Sequence, residues 1–174
     1  FIHLIFNVSN TLALLPFAGL LILIANKVVG EEEDKASEIL DRRLLQTPSI
    51  AEGQVILETV KLAEMAKENL KLSVDAFLND DLKHHDLVYE NEARINEITE
   101  IITNFLVELS GSDIDINEFA RVGDTYHVLN DIERIGDHAE NIMELAEERN
   151  RKNVEITSEG VEELKNIYNY TNLA

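Results

Sequence analysis

Acidic residues in the segment "DIERIGDHAENI", Asp131–Ile142, have the types and spacing of a cation-binding site. In a helix, residues three and four apart lie on one face, which groups three carboxylates of the segment with one just beyond it: Glu133, Asp137, Glu140 and Glu144. Like charges four residues apart destabilise a helix by about 0.2–0.5 kcal/mol, and a bound cation would remove that repulsion. The apolar residues of the segment are predicted to lie almost opposite. By periodicity alone, a solvated acidic face is therefore the simpler interpretation.

Gly136 and two basic residues distinguish the segment from an ordinary solvated face. A glycine inside a helix costs about 1 kcal/mol relative to alanine, and it is typical of a point where another backbone or a ligand approaches closely. Arg134 and His138 lie on a neighbouring face, where they can pair with carboxylates of another helix. These features favour a site.

A matching set of polar residues occurs earlier in the chain, in "KHHDLVYENEARINEI", Lys83–Ile98. On a helix, His85, Glu92 and Asn96 share a stripe that flanks the apolar face. Glu92 and Asn96 repeat the four-residue spacing of the acids in the later segment. A polar start of the helix explains His84 and His85 more simply than a role as ligands.

The overall charge suits a cation site and excludes one class of partner. The net charge is −19, and all 34 acids lie in residues 31–174. Such a chain repels phosphate backbones, so we expect no nucleic acid partner, although charge of this sign also serves solubility. The chain has no Cys, so a metal would need oxygen or imidazole ligands. We predict a hard or borderline cation between two antiparallel helices, with these candidate ligands: Glu92, Asn96, Glu133 and Asp137.

Helices must position these residues, and the sequence carries clear signals for their ends. Thr47 is a predicted N-cap and Pro48 the first helical residue, and the helix breaks at Asn79–Asp81. Gly111 is the next stop signal. The periodicity predicts helices over these ranges: 48–78, 83–109, 116–148 and a fourth from 161. Three long amphipathic helices joined by short loops predict an all-α fold, an antiparallel bundle with the start of a fourth helix.

The predicted core consists of apolar residues that recur every three or four positions. In the first helix these are Val55, Leu62, Met65 or Ala66, Leu70 and Phe77. In the second they are Leu87, Ile95, Ile98, Ile102, Phe105 and Leu109. In the third they are Val128, Ile132, Ile135, Ala139, Ile142 and Ala146.

The first thirty residues differ from the rest in charge. Residues 4–26 carry no charged side chain, and as a helix they span about 35 Å, enough for the roughly 30 Å hydrocarbon core of a bilayer. We favour an apolar, transmembrane-like helix over a buried core helix, because no other segment offers an equally apolar partner. Basic residues follow this segment and none precedes it, which predicts a cytoplasmic remainder.

The predicted organisation has three parts. Residues 1–29 are the end of a transmembrane region, residues 30–46 are a charged connector, and residues 47–174 are a helical domain truncated at its C-terminal end. Because the chain starts with Phe1 and stops inside a predicted helix, we interpret it as a fragment of a longer protein.

No pattern in the sequence predicts catalysis. There is no nucleophile beside a base and no Gly-rich phosphate loop. Di-metal carboxylate bundles use Glu-x-x-His pairs, whereas Gly136 stands three residues after Glu133. We therefore expect a protein without enzymatic activity.

The segment "ERIGDHAENI" resembles the signature of the PhoU family of phosphate-signalling helical bundles. Glu133 and Asp137 match the family's acid-x-x-x-Asp motif. "ENEARINEI" resembles the companion motif of the preceding helix, with Glu92 at the acid position and the neutral Asn96 where the family has an acid. "TPSIA" and residues 4–29 resemble the segments that lead into the PhoU-like domain of bacterial sodium-dependent phosphate cotransporters.

The resemblance implies a PhoU-like bundle on the cytoplasmic side of a multi-pass cell-membrane protein. Its partners would be the membrane, through the N-terminal segment, and the rest of the transporter, with a homo-oligomer as a further expectation. It implies iron or zinc, or another divalent or ferric ion, as the cofactor. The leading hypothesis is thus a regulatory domain of a sodium/phosphate cotransporter that binds metal. The alternative is a purely structural acidic bundle that mediates self-association without metal.

Overall fold

The computed structural model describes residues 38–112 and 116–173, together with Phe6 and Ala36. The chain divides into two compact units, residues 1–41 and 42–174. The predicted transmembrane-like helix and most of the connector lie outside the described residues. Within the described ranges, no helix is both long and apolar enough to cross a membrane.

The second unit is all-helical in its described residues, as the sequence predicts. A short 3-10 helix occupies Arg42–Gln46. The long helices are α1, Pro48–Asn79; α2, His85–Ser110; α3, Ile116–Lys152; and α4, Ser158–Leu173. Helix α3 extends four residues beyond the prediction, and its last turn is rich in basic side chains, which interact favourably with a helix C-terminus. Helix α4 begins three residues earlier than predicted.

The start of α1 is the predicted one. Thr47 lies at the N-cap and Pro48 is the first helical residue, although the Thr47 side chain makes no capping hydrogen bond. The Thr47 hydroxyl instead donates to the Leu44 carbonyl of the preceding 3-10 helix, at 3.2 Å. At the other end Asp80 adopts a left-handed backbone, with φ of 55°, which turns the chain towards α2.

Helices α1, α2 and α3 each pack against the other two. Glu52 near the start of α1 pairs with Arg121 near the start of α3, so these two helices run in the same direction. At the opposite end, Arg149 of α3 donates to the carbonyl of Phe77 in α1. Helix α2 runs against both, which gives the predicted antiparallel bundle.

The core of α3 is rotated from its predicted position. Ile132, Ala139 and Ala146 are buried as predicted, whereas Val128 and Ile135 are 48% and 39% exposed. Leu129, Gly136 and Met143 are buried beside the correctly predicted residues. Because Gly136 belongs to the buried face, the acids next to it flank the core and do not lie opposite to it. Among the α2 predictions, Leu87 is also exposed.

A buried hydrogen-bond network fixes the position of α2 against α1. Asn69 is fully buried, and its amide donates to the Val88 carbonyl at 3.1 Å. The Asn91 amide donates to the side-chain oxygen of Asn69, also at 3.1 Å. Buried polar groups need such partners, so α1 and α2 have one favoured register. This register sets the position of Glu92, which follows Asn91 directly.

Candidate cation site

Glu92 is a buried carboxylate in the interior of the bundle. Its exposed fraction is 4%, and neither of its oxygens makes a hydrogen bond with a described residue. Val88 and Ile95, one turn away on either side, are fully buried. A buried carboxylate without a partner is rare, because burial without a hydrogen bond or an opposite charge costs several kcal/mol.

Helix α3 approaches this carboxylate at Gly136. A Cβ atom at position 136 would lie 2.5 Å from Glu92 Oε2 and 3.4 Å from Ile95 Cδ1. The sequence predicted that another backbone or a ligand approaches Gly136, and the structure shows a close approach of side chains instead. The approaching group is the side chain of Glu92.

The electrostatic environment of Glu92 is negative on the side of α3. Burial raises the pKa of the Glu92 carboxyl, and the charges of Asp137, Glu140 and Glu133 raise it further. The nearby Asn96 amide acts in the opposite direction and lowers the pKa, but it makes no hydrogen bond of normal geometry with either carboxylate oxygen. The arrangement would be stabilised by any cation that entered it.

The four predicted ligands differ in their exposure to solvent. Glu92 is buried, Glu133 is half-buried, and Asn96 and Asp137 are exposed. The charges of Asp137 and Glu133, the two predicted ligands on α3, add to burial in raising the pKa of Glu92. Glu140 also faces Glu92 and was not among the predicted ligands, although its place in the acidic stripe was a usable signal.

These donors fit a cation in charge and in chemistry. All four predicted ligands offer oxygen atoms, which suit hard and borderline cations, and Glu92 has two oxygens without partners. Within residues 38–112 and 116–173, however, no three acidic or histidine side chains stand close enough together to hold one ion. A cation would therefore need side-chain rotation of the less buried acids.

A second cluster, which the sequence analysis did not identify, joins the start of α2 to the end of α3. His85 contacts Asp86 at 2.8 Å through Nδ1 and Glu147 at 2.9 Å through Nε2. The Tyr89 hydroxyl donates to Glu147 at 2.8 Å, and its ring packs against that of His85. The hydrogen bond to Asp86 is the main cause that raises the pKa of His85, and the charge of Glu147 adds to it.

We expect the His85 cluster to make stability depend on pH. Because the folded-state pKa of His85 lies above its ordinary value of 6.5, the protonated His85 stabilises the fold fully below that value. The stabilisation is lost as the pH rises through the folded pKa. His85 is 38% exposed, so solvent screening keeps the effect below about 1 kcal/mol. Urea unfolding of His85→Gln should show a deficit relative to the unmodified chain at about pH 6 that disappears at about pH 9.

His84→Gln is the matched control, because His84 is exposed and precedes α2. It should leave the pH profile of stability unchanged. A His85→Gln deficit of the same size at both pH values would contradict this account of the cluster.

The fold and the site together define an all-helical bundle with an acidic site between two antiparallel helices. Residues 59–146 match the PhoU domain family, and the chain belongs to that family. The match covers the larger part of α1, all of α2 and most of α3, including the four predicted ligands. It indicates a helical domain with a regulatory role related to phosphate transport. Neither a curated protein nor a solved structure matches the chain.

Proposed function

We propose that this chain is the PhoU-like regulatory domain of a sodium-dependent phosphate cotransporter, and that a metal cation binds between α2 and α3. One observation carries the metal proposal. Glu92 is buried without a partner, and it faces three further acids inside the region that matches the PhoU family. A cation would compensate the repulsion between these groups.

The proposed ligands have different tasks. Glu92 holds the cation from the interior, where few alternative positions are open to its side chain. Glu133 and Asp137 approach from α3, and Asn96 supplies a neutral oxygen from α2. By resemblance to the family the ion is iron or zinc, and its role is to neutralise the acids and hold the two helices together. Binding would thus stiffen the bundle, which is a regulatory effect and not a catalytic one.

The metal proposal is tested on the full chain purified without chelators. Elemental analysis should find iron or zinc bound to the protein. After the metal is stripped with chelator, Zn²⁺ at a hundredfold excess over Kd should raise Tm by about 5–10 °C. Glu133→Gln/Asp137→Asn should lose most of this shift, whereas the control Glu159→Gln/Glu162→Gln, on exposed positions of α4, should keep it. Absence of metal, with equal Tm shifts in all three proteins, would refute the site.

The transporter assignment rests on the uncharged segment at residues 4–26 and on its resemblance to the segment before PhoU-like domains in these transporters. In the proposed arrangement this segment lies in the cell membrane and the bundle on its cytoplasmic side, attached to the rest of the transporter. The full chain expressed in cells should then float with membrane vesicles in a density gradient. Leu21→Arg/Leu23→Arg should reduce flotation, because a charged residue at the centre of a bilayer helix costs about 2.5–3.5 kcal/mol. Equal recovery of both proteins in the soluble fraction would contradict the membrane proposal.

Self-association without metal is the second candidate function. The outward face of α1 carries exposed apolar side chains at Ile50, Leu57 and Val60, which a second subunit would cover. This candidate predicts a dimer or larger oligomer in sedimentation experiments, no bound metal, and dissociation in Leu57→Glu/Val60→Glu. A metal-containing monomer would exclude it.

A further inference from the structure

We infer that Gly136 is the positioning residue of the cation site: the missing side chain at this point of α3 forms the space in which the Glu92 carboxylate lies. The inference rests on the proposed function for the role of the cation. The space itself is a property of the metal-free bundle and is tested separately below.

The contacts at Gly136 admit a methyl group only if the end of the Glu92 side chain moves away. A Cβ atom there would meet Glu92 Oε2 at 2.5 Å, Glu92 Cδ at 3.4 Å and Ile95 Cδ1 at 3.4 Å. The first distance is shorter than any van der Waals contact, so the carboxylate or the helix must move. Ile95 is fully buried and occupies the neighbouring space, which limits the directions open to the carboxylate. A side chain at 136 would therefore displace Glu92 from its position against α3.

Gly136 lies among the acids of α3, so the space beside it connects the buried Glu92 with those acids. In α3, Glu133 precedes Gly136 by three residues, Asp137 follows it directly, and Glu140 follows it by four. Since Gly136 lies directly against the Glu92 carboxylate, these acids, one turn away or adjacent in the same helix, are placed around that carboxylate. Gly136 thus allows Glu92 to reach the acids of the other helix from the interior. A bulkier residue at 136 would disconnect the buried ligand from the exposed ones without removing any ligand.

Gly123 provides a matched control within the same helix. A Cβ atom at Gly123 would meet nothing within 4 Å, and the residue is exposed. Alanine is a better helix former than glycine, so Gly123→Ala should stabilise the chain. Gly136→Ala gains the same helix propensity but creates the clash, so the difference between the two variants isolates the space at 136.

A second substitution should rescue the first. Glu92→Asp shortens the side chain by one methylene group and withdraws the carboxylate from α3. The double variant Gly136→Ala/Glu92→Asp should therefore be more stable than the sum of its single variants predicts, because the clash is absent. A merely structural glycine that does not contact Glu92 would give additive effects.

The experiment measures two quantities for the full chain and each variant: urea unfolding in chelator, and Zn²⁺ affinity by calorimetric titration. We expect Gly136→Ala to unfold at lower urea than Gly123→Ala and to bind Zn²⁺ at least about tenfold more weakly, as for residues that orient metal ligands. Gly123→Ala should bind Zn²⁺ like the unmodified chain. The double variant should recover part of the lost stability.

Each outcome decides a separate point. If Gly136→Ala is as stable as Gly123→Ala, the space does not exist and the inference is wrong. If it is destabilised but binds Zn²⁺ as tightly as the unmodified chain, Gly136 serves packing and positions no ligand. If the unmodified chain binds no Zn²⁺, the proposed function and the positioning role both fail, while the metal-free comparison still decides whether Glu92 fills the space at Gly136.

Discussion

Replacement of Glu92 by Met is expected to raise the free energy of unfolding of the metal-free chain by about 1–3 kcal/mol. Both carboxylate oxygens are buried without a hydrogen-bond partner, and three acids of α3 oppose the charge. Met has a similar length and flexible shape, and it carries no strongly polar group. The substitution therefore removes an unfavourable burial while keeping the interior filled.

Glu90→Met is the control for this prediction, because Glu90 lies on the same helix and is exposed. It should change stability by no more than about 0.5 kcal/mol. Burial raises the pKa of Glu92 above its ordinary value of 4.5. The destabilisation caused by Glu92 should therefore increase as the pH rises from 4.5 to the pKa in the folded chain. The gain in Glu92→Met should therefore be larger at neutral pH than at acidic pH. Destabilisation by Glu92→Met in urea unfolding would show that Glu92 has a favourable partner.

Ile102→Ala should lower the free energy of unfolding by about 2–5 kcal/mol. Ile102 is fully buried in α2, the helix that packs against both α1 and α3. The substitution removes buried apolar surface and leaves a cavity that the surrounding side chains can fill only in part. Urea unfolding monitored by circular dichroism measures the loss directly.

Val107→Ala on the same helix tests whether position in the bundle or apolar character decides the effect. Val107 is 61% exposed, so its truncation should change stability by about 0.5 kcal/mol or less. Similar losses for Val107→Ala and Ile102→Ala would mean that α2 packs with a different face.

The helices were predictable because several local signals agree for each of them. The Thr47–Pro48 pair and the break after Asn79 gave the bounds of α1 closely, and apolar periodicity gave α2 and α3. Thr47 lies at the N-cap as predicted, but its hydroxyl donates to the Leu44 carbonyl of the preceding 3-10 helix and caps no backbone N–H of α1. Such a competitor depends on backbone geometry that no residue pattern encodes.

The rotation of α3 could not be predicted from hydrophobicity alone. Val128 and Ile135 are apolar and well spaced, yet they are exposed, while Gly136 is buried. Glycine carries no hydrophobic signal, so a stripe that passes through it looks interrupted. The buried face of α3 is chosen by contact with α1 and α2, where the close approach of Glu92 requires the smallest residue.

The sequence indicated which residues belong to the candidate site better than it indicated where they lie. Spacing brought Glu92 into relation with Glu133 and Asp137, and the charges of both acids raise the pKa of the Glu92 carboxyl, after burial as the main cause. The burial of Glu92 was not expected, because a glutamate on a helix flank is normally solvated. Its position follows from the Asn69 network, which depends on tertiary contacts between α1 and α2. Whether the four predicted ligands bind a metal stays a prediction.

The central claim is that Glu92 and the acids of α3 share one cation, and anomalous diffraction from crystals grown with Zn²⁺ tests it most directly. Data collected at the zinc absorption edge should show a peak between α2 and α3, about 2.0–2.2 Å from an oxygen of Glu92, with an acid of α3 as a further ligand. Peaks confined to exposed carboxylates elsewhere, with the Glu92 oxygens still without a ligand, would contradict the claim.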